Sequence, residues 1–84
     1  MKTNANEYKD FITEETIIGG YGLELAAYTF KNGYQARVLE ELNPNFVSLV
    51  IVKFEGVKSS IKDMLFHLTS EQLIEKLEEI KNYE

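Results

Sequence analysis

The chain has 84 residues, of which 44% are hydrophobic and 27% charged, and its formal net charge is −5. This length fits one domain near the lower end of what folds alone, and the hydrophobic content excludes a disordered chain. A chain without cysteine cannot form disulfides or thiolate metal sites, and an acidic balance with one arginine argues against general nucleic-acid affinity.

The first residues show no apolar run of the kind that marks a secretory signal. The longest apolar stretch, FVSLVIV at 46–52, is far shorter than the roughly 20 residues that span a bilayer. We therefore expect a soluble, cytoplasmic protein that makes no contact with a membrane.

The N-terminal half begins with an apolar spacing in NANEYKDFI that predicts a short amphipathic helix. The stretch TEETIIGGYGLEL then leads through glycines into a strand. Asn32-Gly33 lies between two β-prone runs and predicts a two-residue hairpin turn joining strands of about 23–31 and 34–42. That register places Tyr28 opposite Arg37 and Phe30 opposite Gln35.

The next two segments predict further strands. FVSLVIVKFEG is the most apolar run and is typical of a central strand covered on both faces. Met64, Phe66 and Leu68 alternate as in a strand, although residues 61–68 also fit a helical spacing. We favour the strand because the apolar third strand needs an antiparallel partner.

The C-terminal segment has the clearest helix signal in the chain. Thr69 is a good N-cap, and Gln72 three residues later completes a capping box. Leu73, Leu77 and Ile80 then mark one apolar face. The predicted fold is a single α+β domain. It has an antiparallel sheet of three to four strands with the C-terminal amphipathic helix on one face, and the pattern allows a short N-terminal helix.

This fold leaves one sheet face without a cover. Along the third strand Val47, Leu49 and Ile51 point one way, whereas Val50 and Val52 point the other. One helix covers one face only. The other face must meet the N-terminal segment or a second copy of the protein, so we expect a homodimer.

Two motifs invite a chemical interpretation. GGYG at 19–22 lacks the spacing of a phosphate-binding loop and precedes a strand, so we interpret it as a turn that could present Tyr21 to a partner. His67 is the single histidine and has no evident nucleophile or metal partner. The sequence therefore predicts no catalytic residue, no metal site and no cofactor, and we expect a protein that is not an enzyme.

Two surfaces remain as candidates for partner binding. On the hairpin, Tyr28, Tyr34 and Arg37 fit either ordinary packing or an aromatic and cationic patch for single strands. On the helix, an acidic row lies opposite the apolar face and contains two like-charge pairs four residues apart, each destabilising by about 0.2–0.5 kcal/mol. The row consists of Glu71, Glu75, Glu78 and Glu79. It fits either the solvent-exposed side of a docked helix or a surface that binds a basic partner.

Small size, acidity and the lack of cofactor motifs are typical of phage or mobile-element inhibitors, and of antitoxin or immunity proteins. Such inhibitors offer carboxylates where a nucleic-acid enzyme expects phosphates. We therefore expect a small acidic binding protein that blocks a host protein with a basic surface, namely a nucleic-acid-handling or defence enzyme, which would make it an anti-defence inhibitor. The expected binding residues are Tyr21, Tyr28, Arg37 and the four glutamates of the acidic row.

The alternative rests on the segment FHLTSEQLIEKL at 66–77. It resembles the final strand and helix of the transcription-coactivator family of single-strand binders, and this resemblance implies a single-stranded nucleic-acid-binding module. A further alternative is a small-ligand-binding oligomer with its site between subunits.

Overall fold

Five strands form one antiparallel sheet in which each strand pairs with its neighbour in the chain. The computed structural model describes residues 3, 5–20 and 22–83. This confirms the α+β prediction, but the sheet has five strands and not three to four. The elements are a 3-10 helix (Asn6–Phe11), β1 (Ile12–Ile18), β2 (Leu23–Thr29), β3 (Tyr34–Glu40), β4 (Val47–Glu55), β5 (Lys58–Leu68) and the helix α1 (Ser70–Lys81).

The additional strand is β1, which pairs with β2 and forms one edge of the sheet. Its residues are almost all exposed and polar in the middle, so the sequence shows no alternation that would predict a strand. The glycines of the GGYG segment lie in turn conformation between β1 and β2, and Gly19 and Gly22 have φ values of 74° and 67°. These left-handed conformations explain why glycine stands at both positions.

The β2–β3 hairpin has a three-residue loop, so the predicted two-residue turn was wrong. Gly33 N donates to Phe30 O at 3.2 Å, and the following residue, Tyr34, pairs with Phe30. A turn of this length places a single residue in the left-handed region, which is Gly33 at φ 87°. The longer loop shifts the register by one residue, so that Tyr28 pairs with Ala36 and not with Arg37.

The segment 61–68 belongs to β5, as predicted, and this strand pairs with β4 along its length. Val47, Leu49 and Ile51 of β4 are buried beneath the helix, as their alternation indicated. The register between β4 and β5 shifts twice. His67 lies at the shift between Leu65 and Leu68 and has a φ of 56°.

The helix α1 begins with the predicted capping box. Thr69 Oγ1 accepts from Gln72 N at 3.3 Å, and Gln72 Oε1 accepts from Thr69 N at 3.0 Å. Leu73, Leu77 and Ile80 are buried against the sheet. These contacts fix the helix across one side of the sheet, which we call the helix face.

The C-terminal end of α1 is held by the β2–β3 loop. Asn32 Nδ2 donates to the carbonyl oxygens of Ile80, Lys81 and Tyr83 at 2.8, 3.3 and 3.1 Å. Carbonyls in the last turn of a helix lack partners further along the helix, and this amide contacts two of them, those of Ile80 and Lys81. The loop residue therefore fixes the helix to the sheet.

The N-terminal residues also pack on the helix face. The Tyr28 hydroxyl donates to Thr3 O and accepts from Ala5 N at 2.8 Å. The rings of Phe11 and Phe30 lie 5.0 Å apart. The N-terminal segment, as far as it is described, thus covers the same face as α1 and leaves the other face of the sheet uncovered.

Candidate functional site

The acidic row lies on the outer side of α1, because the buried residues of the helix face the sheet. Glu71, Glu75, Glu78 and Glu79 are all exposed. Glu71 stands in the first turn, where a negative charge interacts favourably with the helix dipole. The helix therefore presents four carboxylates to solvent, as the sequence predicted.

Glu78 differs from the rest of the row because it contacts the N-terminal segment. Its carboxylate accepts a short hydrogen bond from the Tyr8 hydroxyl and a second one, at 3.2 Å, from Asn82 Nδ2. The hydrogen bond from Tyr8 holds the pKa of Glu78 below its usual value. Burial, followed by the hydrogen bond to Glu78, raises the pKa of Tyr8 to about 12. Glu78 therefore holds two segments together in addition to contributing charge.

The other three glutamates of the row have different surroundings. Glu79 forms an ion pair with Lys76 at 3.2 Å. The side chains of Glu71 and Glu75 have no hydrogen bond or ion pair with any of the described residues. Because they lie four residues apart on one helix face, their charges reinforce one another. These two carboxylates are the ones most available to a partner.

The hydrogen bond between Tyr8 and Glu78 extends the row beyond the helix. Glu7 precedes Tyr8 in the chain, and the charges of Glu78 and Glu7 both raise the pKa of the Tyr8 hydroxyl. Residues 70 positions apart in the chain thus meet on one side of the molecule. We use the name acidic surface for Glu7, Glu71, Glu75, Glu78 and Glu79.

The aromatic and basic candidates do not come together. Tyr28 is fully buried on the helix face, so it has no surface to offer a partner. Tyr34 packs against the Tyr83 ring, with 5.0 Å between centroids, and lies under Lys53 Nζ at 4.3 Å. Arg37 lies on the opposite face of the sheet. Tyr21 lies outside the described residues.

Arg37 stands near the middle of the uncovered face. It forms an ion pair with Glu14 at 3.2 Å and donates to Gln35 Oε1 at 2.9 Å. Around it are apolar side chains from all five strands, which alternate with the buried residues of the helix face. We call this the open face, and its apolar residues include Ile18, Leu23, Leu25, Leu39, Val50, Val52, Phe54, Ile61 and Met64.

His67 has a partner that the sequence did not indicate. Its Nδ1 lies 2.7 Å from Glu41 Oε1, and its backbone N donates to Glu41 Oε2 at 2.7 Å. Ser48 Oγ donates to the same carboxylate at 3.1 Å. In a nucleophilic triad the imidazole stands between the hydroxyl and the carboxylate, whereas here the carboxylate stands between the other two groups. The arrangement joins the end of β5 to its neighbours and provides no activated nucleophile.

Comparisons with known proteins give no further guide to this arrangement. No family model matches the chain, and neither a curated protein nor a solved structure matches it. Within the described residues, no group of three or more acidic or histidine side chains is placed to hold a metal ion. No helix of that part of the chain combines the length and apolar character needed to cross a bilayer.

Proposed function

We propose that this chain is a small acidic binding protein, of the phage or mobile-element inhibitor type, that blocks a host protein by occupying its basic surface. The acidic surface supports this proposal, because α1 presents four exposed carboxylates and the hydrogen bond from Tyr8 to Glu78 brings the N-terminal segment next to them. A protein that binds nucleic acid through its phosphates presents clustered lysine and arginine, and the acidic surface complements such a site. The proposed role needs no catalytic group.

The proposed alternative, a single-strand binder, would use the open face. Single-strand binding combines a basic groove with aromatic rings on which bases stack. The open face provides Phe54 at one end, but Arg37 in its middle is already paired with Glu14. Lys53 lies on the other side of the sheet, where its Nζ donates to Asn32 O at 2.8 Å. These contacts favour the acidic surface as the binding site.

The test compares two variants that change the net charge by the same amount. Glu71→Gln/Glu75→Gln removes the two unpaired carboxylates from the acidic surface. Glu55→Lys makes the same change of two charge units at the end of β4, outside that surface. The immobilised chain first captures its partner from a lysate of the source cells, and the affinity of each variant for the purified partner is then measured.

We expect Glu71→Gln/Glu75→Gln to weaken binding at least tenfold at low salt, about 1.4 kcal/mol, mostly through a slower on-rate. Glu55→Lys should bind within about threefold of wild type, a difference of well under 1 kcal/mol. The captured protein should also lose its activity when saturated with the wild-type chain. If both variants bind as tightly as wild type, or the captured protein stays fully active, the acidic surface is not an inhibitory site.

A further inference from the structure

The open face is the part of the molecule that the fold leaves without a cover. Two described segments pack on the sheet from outside, α1 and the N-terminal residues. Both lie on the helix face. Phe54, Ile61 and Met64 are 42%, 62% and 49% exposed. Apolar patches of several hundred Å² are uncommon on monomers and mark interaction sites.

The size of the open face fits a protein interface. Five strands at about 4.8 Å spacing and about seven residues at about 3.3 Å each give a face roughly 20–25 Å in both directions. The planar area is about 500 Å², and the side chains increase the accessible area further. A standard interface buries about 800 Å² on each partner, so nearly the whole face would have to be covered by one flat surface.

The distribution of charge indicates which partner can cover it. The chain carries a net charge of −5, so two copies repel each other in most orientations. On the open face, however, Arg37 balances Glu14, and the acidic surface lies on the opposite side of the sheet. Approach through the open faces therefore keeps the two acidic surfaces as far apart as the molecule allows.

The open face is also complementary to itself. In a two-fold contact the same patch of each copy meets its equivalent on the other copy. An apolar face with one cation and one anion can therefore pair both its charges and its apolar side chains across such a contact. Arg37 of each copy could then approach Glu14 of the other, while the leucine and valine side chains interdigitate. Two sheets packed in this way lie about 10 Å apart, with strand directions within about 30° of each other.

We propose that a second copy of this chain covers the open face, giving a two-fold dimer with the sheets packed face to face and both helices outward. This proposal is independent of the acidic surface, because that surface remains exposed in the dimer and in the monomer. The interface consists of the apolar residues of the open face together with Arg37 and Glu14.

The test uses positions that are exposed in the single chain, so that a charge there leaves the monomer fold intact. Ile61→Glu/Met64→Glu places two charges on the open face. Leu42→Glu/Val57→Glu makes the same change of charge at loop residues that are 71% and 104% exposed and lie off the open face. Sedimentation equilibrium from about 1 to about 100 μM gives the dissociation constants, and circular dichroism compares the folds.

We expect wild type and Leu42→Glu/Val57→Glu to sediment as dimers, at twice the chain mass of 9.7 kDa. Ile61→Glu/Met64→Glu should be a folded monomer, with a dissociation constant raised at least a hundredfold. A wild-type monomer at about 100 μM would overturn the proposal, as would a dimer that both double variants retain equally. A wild-type monomer that binds an oligo-dT probe, and loses it in Ile61→Glu/Met64→Glu, would instead assign the face to nucleic acid.

Discussion

Tyr8 and Glu78 show how one contact between side chains determines the shape of a surface. The Tyr8 ring is buried, and its hydroxyl donates to a carboxylate that is itself exposed. The contact lowers the pKa of Glu78, and burial together with this contact raises the pKa of Tyr8 to about 12. Because both pKa values differ from those of the unfolded chain, the contact makes stability depend on pH at two ends of the scale.

Tyr8→Phe should therefore destabilise the protein most near neutral pH. The lowered pKa of Glu78 contributes stability above its unfolded pKa, and this contribution is lost as the pH falls through the folded pKa. The raised pKa of Tyr8 contributes stability below its unfolded value of 10, which is lost as the pH rises towards about 12. Urea melts of both proteins from about pH 3 to about pH 11 should show the difference in unfolding free energy narrowing at each end.

Tyr83→Phe is the matched control, since the Tyr83 hydroxyl has no hydrogen bond with any of the described residues. Its unfolding free energy should follow that of wild type at every pH. A difference between Tyr8→Phe and wild type that stays constant across the range would show that Tyr8 acts through packing alone.

Tyr28 is the second residue on which the N-terminal segment depends. Its buried hydroxyl bonds to the backbone of Thr3 and Ala5. Tyr28→Phe removes both hydrogen bonds, and the loss of hydrogen bonds from a buried site costs about 1–3 kcal/mol. Thermal melts should show the loss, and protease digestion should cut the N-terminal segment sooner than in wild type. A melt and a digestion pattern identical to those of wild type would contradict the role assigned to the hydroxyl.

The helix α1 is the element whose docking completes the core. Leu77 lies in the middle of its buried face and is fully buried. Leu77→Asp should unfold the domain, because an unpaired buried charge costs several kcal/mol against a total stability of roughly 5–15 kcal/mol. Circular dichroism and a thermal melt check this. Glu75→Asp introduces the same residue on the exposed side of the helix, where it should cost less than about 1 kcal/mol. A cooperative melt of Leu77→Asp near that of wild type would show that the helix does not dock.

At the scale of elements, the sequence predicted what local patterns determine. The capping box and the apolar spacing predicted α1, and the alternation of side chains predicted which face of β4 is buried. The strand β1 was missed because its centre, TEET, has no apolar alternation and its pairing with β2 is a tertiary effect. The predicted register of β2 and β3 was wrong by one residue, because Asn32-Gly33 also suits a three-residue loop.

The same reasons limited prediction of the candidate site. Side chains alternate along a strand, so the one-residue shift moved Tyr28 and Arg37 to opposite faces of the sheet. The acidic row of α1 was visible from helical spacing. Its extension through Tyr8 joins residues 70 positions apart, and no periodicity in the sequence reports such a contact.

At the scale of the whole molecule, the two proposed surfaces lie on opposite sides of the sheet. A face-to-face dimer would therefore present two acidic surfaces in opposite directions, each able to engage a separate partner. The β5 edge of the sheet is less suited to assembly, because this strand combines two register shifts with the charges of Lys58, Lys62 and Asp63. Bulges and charges of this kind discourage the addition of further strands.

Salt should affect the two associations in opposite ways. Partner binding through the acidic surface relies on attraction between unlike charges, so it should weaken as salt rises. Dimerisation joins two chains of net charge −5, so screening should leave the dimer as stable or make it more stable. Sedimentation equilibrium and partner titration from about 50 mM to about 500 mM salt measure both. A dimer that dissociates as salt rises would indicate that ion pairs, and not the apolar face, hold the copies together.

Because Asn32 of the β2–β3 loop holds the C-terminal end of α1, the helix docks late in folding. Every strand of the sheet pairs with its neighbour in the chain, so hairpins can form one after another from short loops. The amide of Asn32 reaches carbonyls 48 to 51 residues later, so this contact forms only after the sheet exists to receive the helix. Undocking of α1 is accordingly a partial opening that leaves the pairing of the strands intact. The backbone amides of α1 should exchange hydrogen sooner than those of β3, the middle strand of the sheet.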